Sequence, residues 1–188
     1  KTIPLLFISE YRKDATKLHY EQLIKTCQYI KQFCDYKNIV PYVALSSNRE
    51  DKLKYNFKTE ELEFYKQHLK NFSWLKECSY TTANKSNLII SLSSNMGIEI
   101  LSRKLKIVFF NLIGDKDNLQ ENPYFKDRRP KYFFSKINSN EIINKLNFFY
   151  NLNDSDWKKE LNESECIIPF DEGNIKLKRE LIKIIDEK

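Results

Sequence analysis

Short apolar runs alternate with segments of helical periodicity along most of the chain. Runs over residues 3–9, 39–45, 88–92 and 106–111 are typical of strands that are covered on both faces. Residues 132–134 predict a last short strand, and residues 72–80 are ambiguous between a strand and a turn. Apolar side chains at helical spacing predict helices over residues 17–36, 59–69, 95–104, 139–150, 154–161 and 175–185, with a brief helical turn at 81–85.

The order of these elements predicts the fold class. Strand, helix and strand follow one another between Leu88 and Asn111, which is a βαβ crossover and favours parallel strands. We therefore predict an α/β, Rossmann-like parallel sheet flanked by helices on both faces. No composition shift marks an internal boundary, so residues 1–188 are interpreted as a single domain.

Composition narrows the classes of function. With 41% hydrophobic and 14% aromatic residues, the 188-residue chain can bury a sizeable core. Three glycines are too few for a glycine-rich phosphate loop. The net charge of +6 suits phosphate-bearing ligands, nucleic acid or an anionic membrane, although solvated lysines in a Lys- and Asn-rich chain explain it as well. No motif with interleaved aromatic residues indicates nucleic acid, so no nucleic-acid partner is expected.

The cysteine spacing and the hydropathy of the chain predict where the protein is located in the cell. The four cysteines have no metal-ligand spacing, which favours buried reduced thiols in a cytosolic protein. No apolar run reaches the roughly 20 residues of a membrane span. The expected location is cytoplasmic, with peripheral contact to the anionic inner membrane as a further expectation.

Polar clusters follow three of the predicted strands. They are Ser9–Arg12, Ser46–Arg49 and Ser93–Asn95, and the carboxyl ends of parallel strands meet at one edge, where α/β folds bind ligands. Arg12 and Arg49 could each pair with a phosphate in bidentate fashion, or be solvated surface arginines.

Glu10 lies in the first of these clusters. It is a weak candidate for a catalytic base or for a group that orients an acceptor. The alternative is a loop carboxylate that pairs with Arg12.

The third cluster begins a helix. Ser93, Ser94 and Asn95 carry small polar side chains where helical N–H groups lack partners, so they could contact a phosphate or simply cap the helix. Gly97 would let a ligand approach the first turn without a Cβ in the way, or would serve helix packing.

Several segments resemble the carboxyl-terminal, donor-binding half of GT-B glycosyltransferases. The resemblance lies in Ser-Ser-Asn-Met-Gly-Ile-Glu-Ile-Leu at residues 93–101, followed by Lys-Leu-Lys-Ile-Val-Phe-Phe at residues 104–110. The opening residues 5–12 and the closing residues 168–177 are similar to the bacterial surface-carbohydrate and O-antigen biosynthesis proteins and to capsule Kdo transferases. Asn95 replaces the commoner Thr of the pattern, and Ile100 the frequent Ala.

The resemblance implies a function. A nucleotide-sugar donor would bind at Ser93, Ser94, Asn95 and Gly97. Glu99 would bind ribose or sugar hydroxyls of the donor. The alternative is that Glu99 is a surface acid that interacts favourably with the helix dipole. The acceptor would be a glycan or a lipid-linked molecule. The amino-terminal GT-B domain, with the general base, would lie outside this chain, so this chain alone is predicted to be inactive.

Cofactors are not implied. Asp-Ser-Asp at residues 154–156 has the look of a metal-binding D-x-D, but its place before Trp157 predicts a helix start, and no metal is expected. Two alternatives remain: a non-catalytic α/β binding or assembly module, and a GT-B-fold sugar-nucleotide epimerase.

Overall fold

A computed structural model describes residues 1–45, 57–74, 78–112, 130–135 and 138–164. Six parallel strands form one sheet in the order β3-β2-β1-β4-β5-β6. The strands are β1 (Ile3–Ile8), β2 (Tyr42–Ala44), β3 (Ser73–Trp74), β4 (Ser86–Ser91), β5 (Ile107–Asn111) and β6 (Phe133–Ser135). This all-parallel order confirms the predicted Rossmann-like fold class.

Six helices accompany the sheet in the described ranges. They are α1 (Lys17–Lys37), α2 (Phe57–Leu69), α3 (Ser79–Asn84), α4 (Asn95–Ser102), α5 (Ser139–Asn151) and α6 (Asp154–Glu163). Helix α1 contacts both α2 and α5. The predicted helix over residues 175–185 lies outside the described residues.

Helices cover both faces of the sheet. Ser91 and Phe109 are register partners on β4 and β5, and both lie against Gly97 of α4. Phe110 is the next residue along β5, so its side chain points to the opposite face. There its ring stacks on Phe134 of β6, which in turn packs against Phe149 of α5. Strand β5 is therefore buried from both sides, as its continuous apolar run predicts.

Some element ends differ from the sequence prediction. Helix α5 begins at Ser139, as predicted, and its cap is Asn138, whose side chain accepts a hydrogen bond from the Glu141 amide. Strand β2 is shorter than residues 39–45, and Pro41 precedes it. The ambiguous segment after α2 contributes the two-residue edge strand β3. The pair Asp154 and Asp156 occupies the first turn of α6, as predicted.

A buried lysine, Lys106, lies at the amino-terminal edge of the sheet, directly before β5. Lys106 is 2% exposed, and its ammonium donates to the carbonyls of Tyr150, at 3.1 Å, and Leu152 at the end of α5. These carbonyls lie at the negative end of the helix dipole. Burial, with a smaller contribution from the charge of Lys1, lowers the pKa of Lys106 from 10.5 to about 8.

Stability should therefore rise with pH above 8 through Lys106. Below pH 8 the lysine is protonated in both the folded and unfolded states, and the cost of burying its charge is fully present. Between pH 8 and 10.5 the unfolded chain keeps the proton and the folded chain loses it, so the folded state gains up to roughly 3 kcal/mol. Urea unfolding of wild type and Lys106→Met from pH 7 to 10 measures this gain as a widening difference in favour of wild type. Parallel pH profiles for the two proteins would contradict the assignment.

Candidate functional site

The central strands β1 and β4 mark the point where the chain direction across the sheet reverses. From β1 the chain proceeds to β2 and β3 on one side, and from β4 to β5 and β6 on the other. In open α/β sheets ligands bind in the crevice outside the carboxyl ends of such a strand pair. Here the loop Ser9–Arg12 follows β1 and the turn Leu92–Ser94 follows β4, so two of the three predicted polar clusters meet at this crevice.

The carboxylate of Glu10 joins these two segments. Its Oε1 accepts hydrogen bonds from the amides of Leu92 (2.8 Å), Ser93 (2.8 Å) and Ser94 (3.0 Å), and from the Ser91 hydroxyl (3.1 Å). Its Oε2 accepts from the Ser93 hydroxyl at 3.0 Å. Glu10 is 6% exposed, and these five donors supply the hydrogen bonds that a buried carboxylate requires.

The turn before α4 therefore does hold an anion, but that anion is a side chain of the same protein. The sequence predicts an anion at this turn from the unpaired amides, without revealing that Glu10 supplies it. The predicted pairing of Glu10 with Arg12 is not observed; Glu10 bonds the turn instead. A catalytic role for Glu10 stays a prediction.

The serine side chains of the turn are also engaged. Ser94 is the N-cap of α4, and its hydroxyl accepts from the Met96 amide at 3.1 Å. The Ser93 hydroxyl donates to Glu10 Oε2. Both serines thus serve the local fold, and contact with a donor phosphate stays a prediction for them. Asn95, the first residue of α4, has an exposed side chain.

The first turn of α1 fixes the loop that carries Glu10. His19 Nε2 lies 2.8 Å from the carbonyl oxygen of Glu10, which can only accept, so this nitrogen carries the proton. The hydroxyl of Tyr20 donates to the Arg12 carbonyl at 2.6 Å. The guanidinium of Arg12 is exposed and forms no ion pair with the part of the chain that the structure describes.

Gly97 packs against the sheet. A Cβ at this position would lie 2.6 Å from Ser91 Oγ, 2.9 Å from Ser91 Cβ and 3.0 Å from Phe109 Cε1. The glycine therefore allows α4 to approach β4 and β5 closely, which is the packing alternative considered for it.

Glu99 lies one turn after Asn95 on α4, and both are exposed. The hydroxyl of Tyr80, on α3, donates to Glu99 Oε2. The guanidinium carbon of Arg103 lies 4.7 Å from the centroid of the Tyr80 ring. No sequence pattern connects Tyr80 with Glu99, because α3 precedes β4 and α4 follows it, and the two helices meet only in the folded chain.

A second buried polar cluster lies behind the crevice. The Ser9 hydroxyl donates to Glu61 of α2, and its oxygen is 2.7 Å from the Tyr65 hydroxyl. Glu61 is 1% exposed. Burial raises the pKa of Tyr65 well above its usual value, so this phenol remains a hydrogen-bond donor at neutral pH.

Two predicted features lie outside the described residues. They are the cluster at residues 46–49, which includes Arg49, and the closing residues 168–177. Within the described ranges no group of three His, Cys, Asp or Glu side chains could hold a metal ion. No helix in the same ranges is long and apolar enough to cross a membrane.

Comparison with known proteins supplies the family. A family model described as "putative O-antigen biosynthesis protein" matches residues 3–185. A search of curated proteins found no match. The family match confirms the prediction of a surface-carbohydrate protein, whereas the finer assignment to GT-B glycosyltransferases stays a prediction. Because the match extends over nearly the whole sequence, the chain belongs to this family of O-antigen biosynthesis proteins.

Proposed function

We propose that this chain is the donor-binding domain of a glycosyltransferase that takes part in O-antigen biosynthesis. The donor is a nucleotide sugar, and it binds at the carboxyl ends of β1 and β4. The observation that carries the proposal is the strand order, which places the loop of Glu10 and Arg12 beside the start of α4 at the sheet's point of reversal.

The described side chains suggest how such a donor would be held. The amides of Leu92, Ser93 and Ser94 are occupied by Glu10, so the donor phosphates would lie farther out, toward Asn95 and the exposed guanidinium of Arg12. Helix α4 still presents its positive dipole end to this space. Glu99 offers a carboxylate one turn along the same helix, which could accept hydrogen bonds from the hydroxyls of a ribose or sugar.

Chemistry at the anomeric carbon would expel the nucleotide as a phosphate leaving group. The guanidinium of Arg12 and the start of α4 would stabilise negative charge that develops on such a group. The acceptor, a glycan or a lipid-linked molecule, and the general base belong to the part of the site that this chain does not supply.

Calorimetric titration with CMP-, UDP- and GDP-linked sugars tests the proposal. We expect one of the three to bind, and Glu99→Ala to weaken its binding by about tenfold, the loss of one charge-assisted hydrogen bond. Glu63→Ala is the matched control, since Glu63 is an exposed helical glutamate paired with Lys66 on α2. Equal weakening by both variants would contradict a specific role for Glu99.

The filled anion site favours a second candidate, a non-catalytic binding or assembly module of the same pathway. A carboxylate that saturates three amides of the turn leaves fewer donors for a phosphate than an open turn would. This module would bind none of the three nucleotide sugars, so the same titration separates the two candidates.

A further inference from the structure

Tyr80, Glu99 and Arg103 form a connected group on the surface beside the proposed donor site. Tyr80 lies on α3, before β4, while Glu99 lies on α4, after β4. The Tyr80 hydroxyl donates to Glu99 Oε2, and the Arg103 guanidinium stacks over the Tyr80 ring. Tyr80 is half-buried, whereas Glu99 and Arg103 are exposed.

This arrangement restrains the Glu99 carboxylate through Oε2 and leaves Oε1 to accept a hydrogen bond from a ligand. Exposed glutamates on helices ordinarily sample several rotamers, and ordering one upon ligand binding costs conformational entropy. The Tyr80 hydroxyl holds Oε2, while Oε1 accepts no hydrogen bond from any residue that the structure describes. Oε1 is an acceptor on the face of α4 that also carries Asn95.

The Tyr80 hydroxyl can donate its hydrogen bond to Glu99 over a wide range of pH. Burial, and next the hydrogen bond to Glu99, raise the pKa of Tyr80 to about 12. The hydroxyl is therefore protonated and donates to the carboxylate at any physiological pH.

We propose that Tyr80 is a positioning residue that presets Glu99 to accept a hydrogen bond from the 2′-hydroxyl of a ribonucleotide. The inference rests on the proposed donor site and adds to it a preference for ribose over deoxyribose. Arg103 supports the Tyr80 ring by stacking and leaves its hydroxyl directed at Glu99.

Calorimetry with UDP, GDP and CMP and with their 2′-deoxy forms tests this role. Tyr80→Phe keeps the ring and removes one hydroxyl, and it is expected to weaken binding of the preferred ribonucleotide by about three- to tenfold, with binding of its deoxy form unchanged. In the Glu99→Gln background the same substitution is expected to have no further effect, because the carboxylate that Tyr80 orients is gone. Tyr36→Phe is the control, since Tyr36 is an exposed tyrosine on α1. Thermal melts of both variants check that the fold is kept.

The outcomes separate this inference from the proposed function. If wild type binds none of the nucleotides, the donor site fails and the role of Tyr80 fails with it. If wild type binds and Tyr80→Phe binds equally well, the donor site stands and the positioning role is overturned. Equal weakening of ribose and deoxyribose forms, or additive effects of the Tyr80 and Glu99 substitutions, would also overturn it, since a merely structural tyrosine would behave so.

Discussion

Replacing Glu10 with alanine is expected to lower the free energy of unfolding by about 2–4 kcal/mol, among the larger effects of any single substitution in this chain. The variant leaves the amides of Leu92, Ser93 and Ser94 without their common acceptor, together with the hydroxyls of Ser91 and Ser93. Each buried donor that loses its partner costs about 1–3 kcal/mol. The total stays below the sum of these costs because Ser93 and Ser94 are only half-buried, so water can reach some of these groups.

Glu10→Gln provides the graded comparison. Its amide oxygen can still accept from the turn, but it carries no charge and its NH2 group faces the Ser93 hydroxyl, so we expect a loss of about 1–2 kcal/mol. The control is Glu21→Ala on α1, where the carboxylate forms only an exposed ion pair with Lys17 at 3.9 Å and should contribute less than about 0.5 kcal/mol.

Urea unfolding of the three variants and wild type measures these differences. Glu10→Ala unfolding at the same urea concentration as Glu21→Ala would show that the hydrogen bonds to the turn do not stabilise the fold. Such a result would also remove the link between β1 and β4 on which the geometry of the proposed donor site depends.

Most of the sheet can be predicted from the sequence because most of its strands are apolar runs. The runs at β1 and β5 are apolar without interruption, which a strand covered on both faces requires, and both are fully or almost fully buried. The two-residue strand β3 carries no such signal. Its place depends on pairing with β2, a tertiary contact that local pattern cannot reveal.

The edge of the sheet that carries the candidate site is predictable from the sequence, but the contacts within it are not. Polar residues after β1 and β4 indicate the crevice as soon as the strands are recognised as parallel. The partner of the turn, however, is Glu10, which precedes it by more than 80 residues. A carboxylate in a polar loop gives no local sign of whether it will point to solvent, to a neighbouring arginine or into a set of amides.

The role of Gly97 is likewise not predictable from the sequence, because it depends on which element packs against the helix. From the sequence, a glycine in the first turn of a helix fits both a close ligand and a close neighbouring element. The structure places β4 and β5 against it, and three atoms of Ser91 and Phe109 lie within 3.0 Å of where a Cβ would be. Ser91 and Phe109 are both fully buried, so neither has open space to move into.

Substitution of Gly97 should consequently destabilise the protein in proportion to the size of the new side chain. Gly97→Ala gains about 1 kcal/mol of helix propensity, yet the overpacking against Ser91 costs about 1–3 kcal/mol, and we expect a net loss. Gly97→Val adds two methyl groups to the same contact and should cost about 3 kcal/mol or more. Because Ser91 also donates to Glu10, a displaced Ser91 would weaken the neighbouring network as well.

Unfolding in urea and nucleotide-sugar titration of the same variants separate the two explanations of this glycine. Asn95→Ala, an exposed substitution in the same helix, should change stability by less than about 0.5 kcal/mol. If Gly97 serves packing, Gly97→Ala loses stability while the exposed side chains of Asn95 and Glu99 keep their positions, so its folded fraction binds as wild type does. Full stability combined with lost binding would contradict the packing explanation, because only a ligand in the space of the Cβ could then require the glycine.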